Sequence, residues 1–582
     1  MLIPGFNKAG NEIRKTSNMK RIYLLIASFI SVNLSHAQWS NDPATGTLFA
    51  NPVTSENYQA AVTDGANGSI VVFESSNGTS ISNLYAQRIS SDGQLQWGAG
   101  NNPKPVCLHS GAKQLEKVMP DGSGGIYVLW FDYSADPAIG DIYMQHINSS
   151  GNPVWAINGI KINSNTGRET DEVRMCSDGG SGVIVVWSEY VYDENVSMTT
   201  YSQIFAQKFN SSGVNQWDAD GVGVSTNESI RAGSSIVADG SGGVIIAFAD
   251  TRNSTQSEND VFDNIDIYAQ RINSAGSLLW TDDAKPIVTT PYNQFPDNDD
   301  KQPNTSISDG AGGLIVVFND FTGNNDGNSN YYAQRINSSG VTQWTVGGIP
   351  VSVSPGNKSL RSLLSDGSGG VTAFWDEDRT QTNSYLKYAQ RILTNGTPNW
   401  IANGIAFPEV LSGYIAQGES VAADGNGNYV FSWTDVNNDL KAQKINNSGV
   451  IQWGATAKVV CNKPGSSPVL PALVKSDAGN TIFTWLDSRN YNQSSFDIYA
   501  AKVDQTGYLI GAPSANAYIT TADGAWNVGA TWLGGVVPPA NADVRVRHNV
   551  TITANAICNS LRVEQPNGKV TVNTGTNLTI SH

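Results

Sequence analysis

The residues whose types and spacing could do chemistry in this sequence are its carboxylates. Asp132, Glu189, Asp250, Asp320, Glu377, Asp435 and Asp487 each stand at or beside the end of an apolar run that carries Trp or Phe. A second series, Asp64, Asp121, Asp178, Asp239, Asp309, Asp366, Asp424 and Asp477, opens glycine-rich turns. Paired carboxylates can serve as general acid and base on a glycosidic bond, or hold a hard cation. A carboxylate that recurs in every unit has a structural reading instead: a half-buried charge must be compensated. The first series is therefore expected to pair with Arg or Lys of the next strand, or with backbone amides. The second is expected to bond the amides of its own turns. A reactive pair should appear as an exception to the repeat. Histidine narrows the chemistry further. Of five histidines only His109 and His146 fall in the repeated region, too few for a Ser-His-Asp relay or a His-based zinc site. His146 stands where other units carry Arg88, Arg271, Arg335 or Arg391, which marks it as a variant of the repeat.

The elements that position these carboxylates recur at a period of roughly 57 residues, a spacing that belongs to propellers, solenoids or arrays. One unit runs from a strand such as 234–238, through the turn Asp239-Gly240-Ser241-Gly242-Gly243, to the apolar strand 244–250. A third strand, 267–272, ends in a glycine hairpin, and a fourth begins near Trp280 and carries Pro286-Ile287-Val288. The second strand is apolar at successive positions, so its sheet must be covered on both faces, as in a β-propeller blade and unlike a sandwich. Trp39, Trp97, Trp155, Trp217, Trp280, Trp344, Trp400 and Trp453 are read as inter-blade residues; the last seven each lie four residues after a hairpin glycine. The eighth unit, 507–511, lacks its Trp, whereas residues 38–53 resemble a fourth strand with a Trp in front. The expected fold is all-β: an eight-bladed β-propeller over residues 38–512, closed by the N-terminal strand. A short, truncated β-helix-like segment is expected over 513–582.

Insertions break the symmetry. Extra residues enter at 190–203, 251–265 and 321–330 between second and third strands, and at 289–302 between two units. In a four-stranded blade both connection types emerge on one face, so all four crowd one rim. They carry acids and aromatics, from which Tyr190, Tyr192, Asp193, Asp260, Phe262, Asp263, Tyr292, Asp297, Asp299 and Asp300 are the candidate ligand face. Ca²⁺ bridging these carboxylates is the one cofactor considered; otherwise none is expected.

Four resemblances follow. The D-G-x-G-G-x-I-V-V-W…D-I-Y-A-Q-R-I-N-S-S-G-x-x-x-W pattern resembles secreted repeat proteins of Bacteroidota-type bacteria, many with type IX secretion sorting domains, and is similar to delta-60 repeats. It implies export and a binding or structural role. Ser339-Gly340-Val341-Thr342-Gln343-Trp344 resembles the tryptophan-docking motif of eight-bladed quinoprotein dehydrogenases, without that family's upstream A-x-D spacing or its vicinal cysteines. The glycine turns are similar to calcium loops and sialidase Asp-boxes, but lack the D-x-[DN]-x-[DN]-G ladder and fall between different strands. Residues 524–544, with Trp526, Trp532-Leu533-Gly534-Gly535 and Pro538-Pro539, resemble the opening of parallel β-helices in adhesin-like secreted proteins.

Met19-Lys20-Arg21, the apolar run 22–32 and Ser35-His36-Ala37 read as a signal peptide cleaved before Gln38, with 1–18 an upstream extension. No membrane span is expected after cleavage. A net charge of −16 argues against nucleic acid. Cys107, Cys176, Cys461 and Cys558 fall in units too far apart to pair and are read as buried small hydrophobes. The last apolar run, Leu578-Thr579-Ile580, stands two residues from the end with no capping segment after it, which suggests a longer solenoid. The leading functional reading is a secreted or cell-surface, monomeric, non-catalytic module that binds extracellular polysaccharide or a surface protein. The alternatives are an extracellular carbohydrate-active or quinoprotein-like enzyme, or a passive spacer.

Overall fold

The computed structural model describes residues 39–580 apart from 41, 50–54, 77–81, 99–101, 137–139, 164–167, 194–197, 228, 255–263, 292, 297–304, 322–329, 383, 413–419, 491–494, 512–517, 541, 559 and 564–567. Eight antiparallel sheets follow one another as the blades of a β-propeller. Strands are lettered A to D outward from the axis. Blade 4 shows the pattern: A is Arg231–Ala238, B is Val244–Asp250, C is Asp266–Ile272 and D is Lys285–Val288. Strand B is buried along its whole length, as its two apolar faces require. Strand D starts later than its Trp suggests. Trp280 lies in the C–D connection, which is tied back by a bridge between Ile272 and Leu278.

The ring closes. Each A strand lies against those of the blades before and after it, and the A strand of blade 8 (Val469–Lys475) lies against that of blade 1 (Ser55–Thr63). Thr47–Leu48 pairs with Ala500 and Tyr499 of strand C in blade 8, so the N-terminal segment supplies that blade's outer strand. Phe49 N–H continues the ladder to the Ile498 carbonyl at 2.9 Å.

One network, repeated at every seam, holds neighbouring blades together. The Trp of each blade donates its indole N–H to a hairpin carbonyl of the next: Trp97 to Ser149, Trp155 to Ser211, Trp217 to Ser274, Trp280 to Ser338, Trp344 to Thr394, Trp400 to Asn447 and Trp453 to Gln505. Trp39 completes the set by donating to Ser91 of blade 1 at 2.8 Å. The indole lies against the neighbour's hairpin glycine. Gly340 has φ +74°, and a Cβ there would meet the Trp280 ring at 2.9 Å, so only glycine serves.

The turn aspartates anchor the same network. One carboxylate oxygen accepts two amides of its own turn, as Asp309 does from Ala311 and Gly313 at 2.8 and 2.7 Å. The other meets a basic side chain of strand C: Arg88–Asp64, His146–Asp121, Lys208–Asp178, Arg271–Asp239, Arg335–Asp309, Arg391–Asp366 and Lys444–Asp424; in blade 8, whose turn is a 3₁₀ turn, Lys502 meets Asp477 Oδ1, which also accepts from the Asn480 side chain. The expectation that strand C cations or backbone amides hold the acids closing strand B is met by Lys441 at Asp435 and by amides at Asp132, Asp250 and Asp487, but the strand C arginines go to the turn aspartates instead. Antiparallel register sets Arg271 opposite Ile245, beside the A–B turn, while Asp250 closes the far end of the hairpin. His146 substitutes fully for arginine, with Nε2 2.9 Å from Asp121 and Nδ1 3.1 Å from the Ser211 carbonyl.

No disulfide joins the four cysteines; Cys107, Cys461 and Cys558 are buried and Cys176 is half-buried. Beyond the propeller, residues 518–580 form parallel ladders: Tyr518–Ile519 with Asp543–Val546 and Ser560–Val563, Gly524–Ala525 with Asn549–Ile552 and Lys569–Val572, and Ala556–Cys558 with Leu578–Ile580. Among the described residues no helix is long and apolar enough to cross a membrane.

Candidate functional site

The B–C and D–A connections share one face of the ring, and the seam network occupies the other. Of the candidate ligand-face residues, Tyr190 lies in strand B of blade 3 opposite Ser202, and Tyr192 and Asp193 extend that strand opposite Thr199 and Met198. The expected loop at 190–203 is therefore mostly a lengthened hairpin. Asp260, Phe262, Asp263, Tyr292, Asp297, Asp299 and Asp300 lie outside the described residues, as do the candidate leader 19–37 and its cleavage site. The insertion at 289–302 does more than join two blades. Gln294–Pro296 pairs with strand B of blade 5 and Ser306–Ser308 pairs further along it, so both stretches belong to strand A of that blade.

The roots of these insertions do converge. Gln294 N–H donates to the Ile265 carbonyl at 2.7 Å, Phe321 N–H to the Asn293 carbonyl at 3.1 Å, and Ile265 N–H to Asn293 Oδ1 at 3.0 Å. Phe295 meets Phe321 edge to face, with centroids 6.1 Å apart. Arg231 of blade 4 donates to the Ser202 carbonyl and to Gln203 Oε1 of blade 3, which fixes the lengthened hairpin to the blade beside it. The rim over blades 3 to 5 is thus one connected base.

A cleft of about 280 Å³ opens on the same face, between blades 1 and 2. It is lined by Tyr58, Glu74, Lys113, Gln114, Glu116, Lys117 and Tyr133, with Ala112 and Leu115. A β-bulge between Leu115 and Lys117 turns Glu116 out of the regular alternation, and another between Glu56 and Gln59 does the same for Tyr58. Glu74 Oε1 accepts Leu115 N–H at 2.8 Å and so joins the two blades, while Gln114 Nε2 donates to Glu116 Oε1 at 2.7 Å. The Lys113 ammonium is occupied by the carbonyls of His109 and Gly111. Burial, with the charges of Glu116 and Asp171, pushes the Tyr133 hydroxyl above its ordinary pKa, so it stays a neutral donor. Two phenols, two carboxylates, an amide and the Lys117 amine suit a polyhydroxylated ligand: rings to stack on, acceptors and donors for hydroxyls. Sequence reasoning missed this site because its residues sit at ordinary strand positions of two blades. A signal existed. Glu74 stands where the other blades carry Phe131, Ser188, Ala249, Asn319, Asp376, Thr434 and Leu486.

The acids closing strand B are held in place rather than presented. Glu189, Glu377 and Asp487 accept the indole N–H of the Trp two residues before them, at 3.0, 3.0 and 2.9 Å. Arg252, Arg379 and Arg489 clasp Asp250, Glu377 and Asp487 at 2.6, 2.8 and 2.5 Å and sit over the rings of the strand C tyrosines. Burial works to raise Asp250 and Asp487, but the arginine hydrogen bonds and charges outweigh it and hold both below the usual carboxylate range.

Blade 6 breaks the repeat with a buried charge cluster. Asp376 meets Lys387 at 2.6 Å and Arg361 at 2.9 Å, and Lys387 occupies a position that is apolar or aromatic in the other blades. Burial lowers the Lys387 amine to about 8, with Asp376 pulling the other way. Its side chain is 1% exposed, so no substrate reaches it. Among the described residues no three His, Cys, Asp or Glu side chains converge as a metal site.

No protein-family model matches the chain, and no curated protein matches it. Among solved structures it is similar to a protein of unknown function from Dyadobacter fermentans DSM 18053, at 9% identity over 78% of this chain and 96% of that one, with a TM-score of 0.34. A lectin from Burkholderia pseudomallei aligns at 10% identity over 70% and 99%, with a TM-score of 0.41. An α-L-arabinofuranosidase from Fusarium graminearum aligns at 10% identity over 67% and 92%, with a TM-score of 0.29. Likenesses at this level bring no ligand or reaction to this chain.

Proposed function

We propose that this chain is an exported, non-catalytic propeller that binds a polysaccharide through its B–C face, with the cleft between blades 1 and 2 as the saccharide seat. The observation that carries the reading is the lining of that cleft: Tyr58 and Tyr133 beside Glu74, Glu116, Gln114 and Lys117, set by two β-bulges. Such a lining recognises hydroxyl-rich ligands without needing a metal. Glu74 and Glu116 are each engaged by a protein donor, which favours holding over turnover. The insertions over blades 3 to 5 would extend the same face, with Ca²⁺ bridging their carboxylates as one means of ordering them. The parallel ladders at 518–580 support reading that segment as the start of a β-helix. Together with the sequence resemblances they support a surface-displayed adhesion module of the Bacteroidota repeat type.

The test is retention on a panel of extracellular polysaccharides together with an assay for reducing-sugar release. Retention without release is expected, falling at least tenfold in Tyr133→Ala and in Glu116→Gln with the melting temperature kept. Retention by no polysaccharide sinks the reading. Sugar release lost in Glu116→Gln or Glu74→Gln replaces it with a carbohydrate-active enzyme. Trimming 255–263 and 297–304 while leaving Gln294–Pro296 in its ladder separates the insertions' share from that of the cleft.

A further inference from the structure

Seven of the eight turn aspartates meet a strand C arginine or lysine, which keeps its charge through the neutral range. The eighth, Asp121 in blade 2, meets His146, whose charge depends on pH. The neighbourhood is rebuilt around this shorter side chain. Five other blades place isoleucine opposite the cation, at Ile70, Ile184, Ile245, Ile315 and Ile482. Blade 2 places Tyr127 there, and its ring stacks on the imidazole with centroids 4.5 Å apart. The Tyr127 hydroxyl donates to the Ser181 carbonyl in the A–B turn of blade 3. Tyrosine and histidine together thus span a seam that one arginine spans elsewhere.

Both nitrogens of the His146 ring face acceptors. Nε2 lies 2.9 Å from Asp121 Oδ2, and Nδ1 lies 3.1 Å from the Ser211 carbonyl of blade 3. Asp121 Oδ1 is taken by the amides of Ser123 and Gly125, at 2.7 and 2.8 Å, which leaves Oδ2 to the imidazole. Only an imidazolium, with a proton on each nitrogen, donates both ways. Either neutral tautomer turns a ring lone pair toward an oxygen, in a seam where the His146 and Asp121 side chains are 10% and 7% exposed. The other charged groups around the ring do not compete for that proton. Burial works against the Asp121 charge, but hydrogen bonds from His146 and the two turn amides outweigh it and hold the acid below the usual carboxylate range. Burial, with the charges of Asp121 and Asp178, pushes Tyr127 up to about 12. Asp178, in the turn of blade 3, is matched by Lys208 at 3.3 Å. Trp155 meets the ring edge-on and gives its own N–H to the Ser211 carbonyl.

We propose that the seam between blades 2 and 3 is a proton-operated latch, closed while His146 is an imidazolium bridging Asp121 to blade 3 and loosened when that proton leaves. The closed seam keeps a proton that a histidine in water releases at about pH 6.5. The latch is therefore at full strength in mild acid and weakens as the pH rises above that value. The arginines and lysines at the other turn aspartates do not titrate there, so the response belongs to this one joint of the ring.

Hydrogen–deuterium exchange on the whole protein tests this. The reference is Tyr127→Ile/His146→Arg, which rebuilds the Ile245–Arg271 pair of blade 4 and does not titrate. At each pH, exchange of residues 121–125 and 210–214 is divided by that of the same peptides in the reference, which removes the chemistry of exchange itself. The ratio should rise about fivefold between about pH 5.5 and about pH 8. The matching peptides at the seam between blades 5 and 6, 309–313 and 394–397, should keep a constant ratio. A constant ratio at 121–125 and 210–214 overturns the proposal, and so does an equal rise at both seams. Should the double variant fail to fold, His146→Arg alone serves as the reference. Nitrogen-15 spectra of the histidine-labelled wild type give a check free of any reference: both ring nitrogens of His146 should carry protons at pH 7, and a neutral ring there rejects the latch.

Discussion

Replacing Trp39 by Ala should open the ring at one seam. The side chain is 3% exposed and packs with Phe49, Val71, Phe73 and Ile482, spanning blades 8 and 1. Truncating a buried Trp costs about 3–5 kcal/mol through lost burial and the cavity left behind. Its indole hydrogen bond to the Ser91 carbonyl adds little, because Lys502 donates to the same oxygen at 2.9 Å and keeps it satisfied. Trp344→Ala, at the seam between blades 5 and 6, removes a Trp with the same partner geometry and 9% exposure. Urea unfolding followed by far-UV circular dichroism should give losses of about 3–5 kcal/mol for both. The two should differ in proteolysis. Trp39→Ala frees a segment otherwise held by the short Thr47–Leu48 ladder, Phe49 and the hydrogen bonds of Arg489 and Asn462 to carbonyls of residues 43–45, so cleavage should start within the first fifteen residues after position 39. A loss below about 1 kcal/mol for Trp39→Ala beside a full loss for Trp344→Ala would show that the N-terminal segment does not latch the ring.

Arg335→Met should destabilise by about 3–5 kcal/mol, read as a shift in the urea midpoint, because it strands the buried Asp309 carboxylate, while Trp344 keeps the Thr394 carbonyl satisfied. Asp309→Asn, which keeps an acceptor for the turn amides, should cost clearly less. Acid should weaken the fold from below about pH 4. Hydrogen bonds hold Asp121, Asp250, Asp424, Asp477 and Asp487 below 3.8 against their burial, so the unfolded chain binds protons first, and stability falls as the pH passes their folded values. A denaturation midpoint unchanged from pH 7 to pH 2.5 would contradict this. Lys387 runs the other way. Burial lowers it from 10.5 to about 8, so in that interval the unfolded chain holds a proton that the folded chain has released. Stability should rise by about 2–3 kcal/mol between those pH values relative to Lys387→Met, whose profile should be flatter.

Much of this architecture was legible because it is written eight times. The turn aspartates, the hairpin glycines and the tryptophans recur at positions that only one seam geometry explains, and the absent Trp of the eighth unit pointed to Trp39. The strand C arginines pair with the turn aspartates, and Lys441 with the strand B acid Asp435, because ladder register rather than chain order decides which side chains meet. Counting register from the A–B turn sets Arg271 five ladder positions from Asp250 and beside Asp239. The cleft was invisible for a different reason. Tyr58, Glu74, Glu116 and Tyr133 come from two blades and belong to no insertion, so neither loop length nor local motif marks them.

The two faces of the ring answer to different constraints, and the difference explains where a ligand site can evolve. On the A–B face a turn aspartate such as Asp366 is committed four ways: to two amides, to a strand C cation, and through that cation to the next blade's hairpin carbonyl, which also receives a Trp. Changing one partner there leaves the others buried and unpaired, and around a closed ring the damage cannot be relieved at a free end. On the B–C face the clasps of Arg252, Arg379 and Arg489 close within their own blades, apart from contacts to neighbouring connections. Insertions at 251–265, 297–304 and 321–330, and the Glu74–Leu115 link that shapes the cleft, therefore alter one blade or one pair without unsettling the seams. Sequence variation that survives must concentrate on that face, and binding residues with it.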